Sequence, residues 1–222
     1  MTTVTIPPAA EKEIADTVAV MGGDDWRRWL EALLAEGLLA PGARTLAYSY
    51  IGPELTWPIY RDGTIGRAKK DLEETARWLD ARLHEKLGGH AWISVNKAVV
   101  TQASAAIPVV PLYMSLLMRV MREKGVEESP LEQMRRLMVD HLAAGRQPTV
   151  DAEGRVRLDD REMSPAVQGR VANLWPEVNT ENLRATSDFA SYQREFRNLF
   201  GFDVEGVDYE QPMETDLQWE IR

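Results

Sequence analysis

A tyrosine and a lysine, Tyr60 and Lys69, stand in the first third of the chain with eight residues between them. A phenol held beside an ammonium group can hydrogen-bond to a carbonyl oxygen that gains negative charge during a reaction. The ammonium would also favour the phenolate, and so lower the tyrosine pKa from its usual value of about 10. The pair therefore predicts acid catalysis on a carbonyl compound, although the same spacing fits a half-buried tyrosine and a solvated lysine.

The chain between these two residues must bend for their side chains to meet. In one continuous helix they would lie about 13.5 Å apart along the axis and on opposite faces. Asp62 and Gly63 form a turn signal, and Thr64 is a suitable N-cap for a helix that runs to about Leu87. We predict that this turn folds Tyr60 back over the first turns of the helix.

Two segments that flank this helix have the composition of parallel strands. Residues 44–51 (RTLAYSYI) alternate and are rich in β-formers, and residues 90–95 (HAWISV) are almost continuously apolar. Continuous apolar runs are typical of strands buried on both faces of a parallel sheet. Strand, helix and strand in this order predict a βαβ unit with a right-handed crossover. The next segment, 96–107, would then lie at the carboxyl edge of the sheet, where ligands bind in open α/β folds.

Other polar side chains near this edge are weaker candidates. Tyr48 and Tyr50 lie two positions apart, so both would face the same way on a strand. Thr101 and Gln102 offer donors and acceptors for an amide such as nicotinamide. Each of these residues also fits an ordinary packed or loop position, and spacing alone does not separate the two interpretations.

The rest of the chain is predicted to be mainly helical. Residues 11–21 and a helix from Asp24 form a pair with an apolar seam, in which Trp26 and Trp29 are expected in the core. Further patterns predict helices at 108–124, 129–145, 164–175, 180–184 and 188–200, a hairpin at 151–158 and a strand at 203–207. We divide the chain into a helical lead-in pair (1–37), a catalytic βαβ core with a substrate helix (38–128) and a mainly helical C-terminal module (129–222).

The composition excludes several classes of function. With no cysteine and three scattered histidines, the chain lacks thiol nucleophiles, disulfides and the usual metal-ligand pairings. A net charge of −9 argues against binding to a nucleic-acid backbone. The start of the chain lacks a signal-peptide pattern, and prolines break the longest apolar run, 105–118. We therefore expect no membrane span and a cytoplasmic location.

Long segments of the sequence resemble one known family. They are residues 48–69 (YSYIGPELTWPIYRDGTIGRAK), 94–104 (SVNKAVVTQAS) and 107–113 (IPVVPLY), followed by 174–183 (LWPEVNTENL) and 196–209. These segments closely resemble the trans-2-enoyl-CoA reductases, a family that includes the FabV-type bacterial enoyl-ACP reductases. The Tyr-x8-Lys spacing is the hallmark of this family. The similarity extends from about residue 5 to about residue 210.

The resemblance implies a fold and a reaction. The fold would be α/β, the C-terminal half of a Rossmann-like, short-chain-dehydrogenase-like parallel sheet with many helices. The reaction would be NADH-dependent reduction of trans-2-enoyl thioesters, carried by CoA or by acyl carrier protein, in fatty acid synthesis. Hydride would attack C3 of the substrate, and protonation at C2 would follow.

The resemblance also implies roles for individual residues. Tyr60 would hold the enolate and serve as proton donor, Lys69 would contact the cofactor, and Tyr50 would lie on the substrate. The residues that follow the nicotinamide end of the cofactor would be Ala98, Val99, Val100 and Thr101.

The chain departs from the family pattern in one large respect. Family members are about twice as long, and their N-terminal half carries the glycine-rich adenosine and pyrophosphate site. No GxGxxG, GxxxGxG or P-loop motif occurs here, so we expect a separate N-terminal half to complete the cofactor site. Alone, the chain is expected to self-associate or to be marginally stable, since half a sheet leaves an apolar edge uncovered. The alternative is a non-catalytic binding or scaffold module, and nothing in residues 163–222 predicts a flavin site.

Overall fold

The computed structural model describes residues 3–212. Its β-strands are β1 (Arg44–Ser49), β2 (His90–Val95) and β3 (Arg155–Arg157). Its α-helices are α1 (Glu11–Met21), α2 (Asp24–Ala35), α3 (Trp57–Tyr60), α4 (Thr64–Leu87), α5 (Gln102–Ala106), α6 (Val110–Lys124), α7 (Pro130–Arg136), α8 (Pro165–Leu174), α9 (Leu183–Thr186) and α10 (Phe189–Asn198). A 3-10 turn (Glu54–Thr56) precedes α3, and a π-helical turn (Leu137–His141) continues α7. No helix in the described range is long and apolar enough to cross a membrane.

The strands form a parallel sheet in the order β1-β2-β3. The β1–β2 register begins with Arg44 opposite His90, and β3 joins at the carboxyl end of β2, with Ile93 opposite Arg155. All residues of the central strand β2 except the first are buried, which explains its continuous apolar sequence. The predicted βαβ unit and the partial Rossmann-like α/β fold are confirmed.

Helices cover both faces of the sheet. On one face, Ala91 packs with residues of α2 and α4, and Ile93 and Val95 pack with Ala76 of α4. On the opposite face, Trp92 packs with Val156 of β3, with Leu158 just after it and with Leu137 of the π-helical turn. Successive side chains of a strand point to opposite faces, so this alternation places β2 in the middle of a three-layer core.

The largest apolar cluster lies beside the sheet, around α6. Tyr113, Leu116, Leu117 and Val120 of this helix are completely or almost completely buried, and α8 and α10 pack against it. The predicted boundary at residue 128 therefore separates helices that share one core, and the division into modules stays a prediction. The partly buried rings of Tyr50 and Tyr60 also pack against this cluster.

Several local predictions are wrong. Trp29 is 63% exposed, because α2 turns Trp26 and Leu30, but not Trp29, toward α4 and the sheet. The expected hairpin at 151–158 is mainly a third parallel strand, with one antiparallel bridge between Val150 and Val156. Its main partner is β2, about 60 residues earlier, so the local turn signal could not predict the pairing.

Smaller differences concern the ends of elements. Gly63, not Thr64, is the N-cap residue of α4, and Thr64 is the first helical residue. The helix from Pro130 ends in the π-helical turn at His141, before the expected end near residue 145. The helix expected at 180–184 lies at Leu183–Thr186, and residues 203–207 form turns and bends, not a strand.

Candidate active site

The structure brings Tyr60 and Lys69 together. Tyr60 ends α3, Lys69 lies in the second turn of α4, and the ammonium nitrogen of Lys69 is 4.7 Å from the centre of the Tyr60 ring. The helical path is broken between α3 and α4, as the Asp62–Gly63 turn signal predicts. Gly66 permits the close approach, because a Cβ atom at this position would collide with the backbone carbonyl of Arg61.

Tyr50 completes an aromatic corner at this point. Its ring meets the Tyr60 ring edge to face, with centroids 4.9 Å apart and an interplanar angle of 86°. Lys69 donates a hydrogen bond to the backbone carbonyl of Tyr50, and its nitrogen lies 5.5 Å from the Tyr50 ring centre. Gly52 has a φ of +69° and lies against the Tyr50 hydroxyl, so the chain turns back sharply behind this ring.

Tyr48 and Tyr50, whose spacing predicts one shared strand face, both border the cavity described below but differ in burial. The strand ends at Ser49, so Tyr50 lies beyond the pleated segment and turns inward, whereas Tyr48 is 54% exposed.

These side chains line a cavity of about 500 Å³ at the carboxyl edge of β1 and β2. Its wall includes Tyr50, Tyr60 and Lys69 and, after β2, residues of the predicted nicotinamide segment, namely Ala98, Val99 and Thr101. The remaining wall is largely apolar, as is usual for pockets that hold a small ligand. The topology explains the location, because ligands of open α/β sheets bind beyond the carboxyl ends of the strands.

Val100 of that segment and Gln102, a separate candidate for contact with an amide, do not line the cavity. Val100 is buried in the cluster around α6 and does not line the cavity, since backbone alternation turns it away from Val99. The side chain of Gln102 is exposed. Thr101 caps α5, and its hydroxyl oxygen accepts a hydrogen bond from the Ser104 amide at 3.0 Å.

Burial changes the acid–base properties of the pair. Burial lowers the pKa of Lys69 to about 8, and the carboxylate of Glu73 opposes this change. Burial, and then the negative charge of Glu162, raise the pKa of Tyr60 above its ordinary value. The predicted lowering of the Tyr60 pKa is therefore wrong. The desolvation of a phenolate outweighs the nearby ammonium, which lies over the ring and bonds to the Tyr50 carbonyl.

The sequence interpretation missed a buried carboxyl group behind the cavity. Glu162 has no exposed surface and accepts hydrogen bonds from the hydroxyls of Tyr50 (2.9 Å) and Tyr113 (2.6 Å) and from the Ala98 amide (2.6 Å). Lys97, which lines the cavity, donates to the Ala98 carbonyl at 2.9 Å, and burial lowers its pKa. Glu162 stands in the charged run DDREMS, which has the pattern of a solvated loop and gives no local signal of burial.

The site thus consists of a tyrosine–lysine pair at the carboxyl edge of a partial Rossmann-like parallel sheet. Residues 1–143 match the family model described as the trans-2-enoyl-CoA reductase catalytic region. Residues 150–213 match the model described as the enoyl reductase FAD binding domain. The chain belongs to the trans-2-enoyl-CoA reductase family, as its sequence motifs indicated.

Individual relatives agree with this membership. An enoyl-[acyl-carrier-protein] reductase [NADH] of Opitutus terrae is 55% identical over 214 residues, which are 96% of this chain and 54% of the relative. The trans-2-enoyl-CoA reductase of Euglena gracilis is 55% identical over 217 residues, which are 97% of this chain and 40% of the relative. This chain thus spans about half the length of the curated relatives it matches.

Solved structures have the same fold. The trans-2-enoyl-CoA reductase of Clostridium acetobutulicum in complex with NAD superposes with a TM-score of 0.89 at 45% identity, covering 93% of this chain and 53% of that one. The Treponema denticola enzyme in complex with NAD gives a TM-score of 0.88 at 48% identity, with 93% and 51% covered.

The description of the second family model names FAD, but the residues present do not fit this cofactor. Free amides at a helix N-terminus are a common binding site for a pyrophosphate. At α10 the Asp188 carboxylate already accepts the Ser191 amide, and α8 begins with Pro165, which lacks an amide proton. The open cavity beside α10 is about 310 Å³, small for a dinucleotide. We assign no flavin chemistry to this region.

Proposed function

We propose that this chain carries the catalytic tyrosine and lysine of an NADH-dependent reductase of trans-2-enoyl thioesters in fatty acid synthesis. One observation carries the proposal, which is the approach of Lys69 to within 4.7 Å of the Tyr60 ring at the wall of a largely apolar cavity. The names of the relatives and the NAD held by the solved structures support the same reaction.

Tyr60 acts on the substrate carbonyl in this mechanism. NADH, when bound, supplies the hydride that adds to C3 of the enoyl thioester. Because its pKa is raised, Tyr60 is a neutral phenol at physiological pH and can donate a hydrogen bond to the thioester oxygen as this oxygen becomes an enolate. The enolate then takes a proton at C2, for which the phenol is the donor, and the phenolate that remains recovers its proton from solvent.

Lys69 and the segment after β2 face the cofactor in this proposal. The ammonium of Lys69 gives the cavity a cation for the oxygen-rich part of the dinucleotide. Ala98, Val99 and Thr101 form the wall beside the nicotinamide, and the ring of Tyr50 lies against the substrate. Val100 supports this wall from the core and does not contact the ligand.

The substrate carrier is CoA or acyl carrier protein, and we propose that the glycine-rich part of the cofactor site lies outside these 222 residues. Two observations support this, namely the lack of a glycine-rich nucleotide motif and the greater length of the relatives. We propose the cytoplasm as the site of the reaction.

The test measures NADH oxidation with trans-2-butenoyl-CoA, using the chain alone and the chain mixed with the part of the Opitutus terrae relative that the match does not cover. We expect turnover in the mixture and a loss of about 100-fold or more in Tyr60→Phe, which removes only the hydroxyl. The matched control is Tyr192→Phe, because Tyr192 is buried against α6 outside the cavity.

Equal turnover in Tyr60→Phe and Tyr192→Phe would contradict the role of Tyr60. If neither sample oxidises NADH or binds it, the chain is the non-catalytic binding or scaffold module that its sequence also allows.

A further inference from the structure

Glu162 is surrounded by donors, all of which point at its carboxylate. The Tyr50 and Tyr113 hydroxyls share one oxygen, and the Ala98 amide donates to the other. The Ala98 amide can only donate and the two hydroxyls are oriented to donate, so these bonds favour the carboxylate form, whereas burial raises the pKa of Glu162. Such a group is costly to bury unless it is fully hydrogen-bonded. Three hydrogen bonds therefore hold the Glu162 side chain in a defined position, although the residue lies in a loop.

A further side chain fixes this arrangement from α8. The amide nitrogen of Gln168 donates to the Tyr113 hydroxyl at 3.0 Å and to the backbone carbonyl of Glu162 at 2.7 Å. The carboxylate is thereby tied to α6 through Tyr113 and to α8 through Gln168. Both helices belong to the largest core of the protein, so Glu162 has a rigid base.

Glu162 holds two parts of the cavity wall in place, namely Tyr50 and Ala98. The phenol end of Tyr50 is bonded to Glu162 and its backbone carbonyl accepts from Lys69, so the ring is held at both ends. The held ring meets Tyr60 edge to face at 4.9 Å. The bond from Ala98 to Glu162 fixes the segment after β2 at the point where it enters the cavity.

We propose that Glu162 is a positioning residue of the reductase site, which acts through Tyr50 and Ala98 to hold the wall of the cavity against Tyr60. This inference rests on the proposed function for its catalytic meaning, but the geometry that it describes can be tested without turnover. It gives residues 150–213 a part in the site, through one buried carboxylate, that their family description does not suggest.

The charge of Glu162 has a second consequence at Tyr60. The groups that face Tyr60 are the Tyr50 phenol, the Lys69 ammonium and, behind Tyr50, Glu162. Glu162 is faced in turn by the two phenols and by the cation of Lys97. After burial, the Glu162 charge is the next cause that raises the pKa of Tyr60, so it keeps the phenol protonated.

Three variants separate positioning from general stability. Glu162→Gln keeps the size of the side chain but removes its charge, so the charge-assisted bonds from the two phenols are replaced by weaker neutral ones. Tyr50→Phe deletes only the hydroxyl that donates a hydrogen bond to Glu162. The control is Asp159→Asn, which changes a carboxylate that is also buried and lies three residues earlier, but is paired with Arg157 at 2.7 Å.

The experiment is NMR of the chain with ¹³C-labelled tyrosine and phenylalanine rings, with Tyr50 and Tyr60 assigned by single substitutions. In the wild type we expect a strong NOE between these rings, since their centroids are 4.9 Å apart. Glu162→Gln should weaken this NOE and move the Tyr60 titration to lower pH, whereas Asp159→Asn should leave both as in the wild type. Glu162→Gln added to Tyr50→Phe should not weaken the NOE between the rings at positions 50 and 60 further, because the hydroxyl through which Glu162 acts is already absent.

An unchanged NOE and Tyr60 titration in Glu162→Gln would overturn the proposal. If that variant does not fold, Tyr50→Phe decides, and an NOE between residues 50 and 60 at wild-type strength would count against positioning. In the turnover assay, Glu162→Gln should lower kcat about tenfold or more with little change in KM. A wild-type protein without turnover refutes the proposed function, and the ring spectra still decide the role of Glu162.

Discussion

Removing the charge of Lys69 should change how stability depends on pH. Lys69 has a pKa of about 8 in the folded protein, because it is buried, against an ordinary value of 10.5. Between these two values the unfolded chain binds more protons than the folded protein, so the free energy of unfolding rises with pH. The difference between the two pKa values corresponds to about 3 kcal/mol in the free energy of unfolding. From pH 7.5 to 9.5 the expected gain is about 1–2 kcal/mol after solvent screening of the partly exposed ammonium.

The measurement is urea unfolding of the wild type, Lys69→Met and Lys70→Met at pH 7.5 and 9.5, followed by tryptophan fluorescence. Methionine keeps the length of the lysine stem and removes the charge. All other groups titrate in the three proteins alike, so the wild-type gain minus the Lys69→Met gain isolates Lys69. Lys70 is the exposed neighbour on the same helix, and its variant should keep the wild-type gain. Equal gains in the wild type and in Lys69→Met would refute the burial of this ammonium.

Two further predictions concern the frame of the site. Gly66→Ala should destabilise the protein by about 1–3 kcal/mol, because its Cβ would meet the Arg61 carbonyl, and should cost turnover by separating Tyr60 from Lys69. Thermal unfolding of Gly66→Ala tests this, and the control is Gly169→Ala on the open surface of α8. Equal melting temperatures of the two variants would contradict the prediction. The chain alone should self-associate through β1, which within the described residues pairs only with β2. Sedimentation over a concentration series tests this, and a monomer with a cooperative, high melting transition would count against it.

Local sequence was enough to predict most of the elements and the approach of Tyr60 to Lys69. The two parallel strands, the long helix between them and the break before it follow from hydrophobic pattern and turn residues. The break is what lets Tyr60 and Lys69 meet, and the close approach at Gly66 then completes the corner. These features depend on residues that are neighbours along the chain, so the sequence signals them directly.

Features that depend on distant partners were not predictable in this way. Glu162 is buried because it accepts hydrogen bonds from Tyr50, Ala98 and Tyr113, which lie 49 to 112 residues away in the sequence. No pattern within its own segment predicts this burial. The same reason explains β3, whose main partner is β2 and not the adjacent segment of the expected hairpin. Burial and the charge of Glu162 raise the pKa of Tyr60, and the spacing between Tyr60 and Lys69 contains neither of these causes.

The fate of a labelled hydride tests the reductase activity most directly. The chain, mixed with the complementary part of a relative, is incubated with trans-2-butenoyl-CoA and with NADH that carries deuterium at the transferable position. We expect butanoyl-CoA with deuterium at C3 and a solvent-derived proton at C2, as addition to C3 and protonation of an enolate require. Deuterium at C2, or reduction of the thioester carbonyl with the double bond intact, would contradict the reaction that we assign to Tyr60 and Lys69.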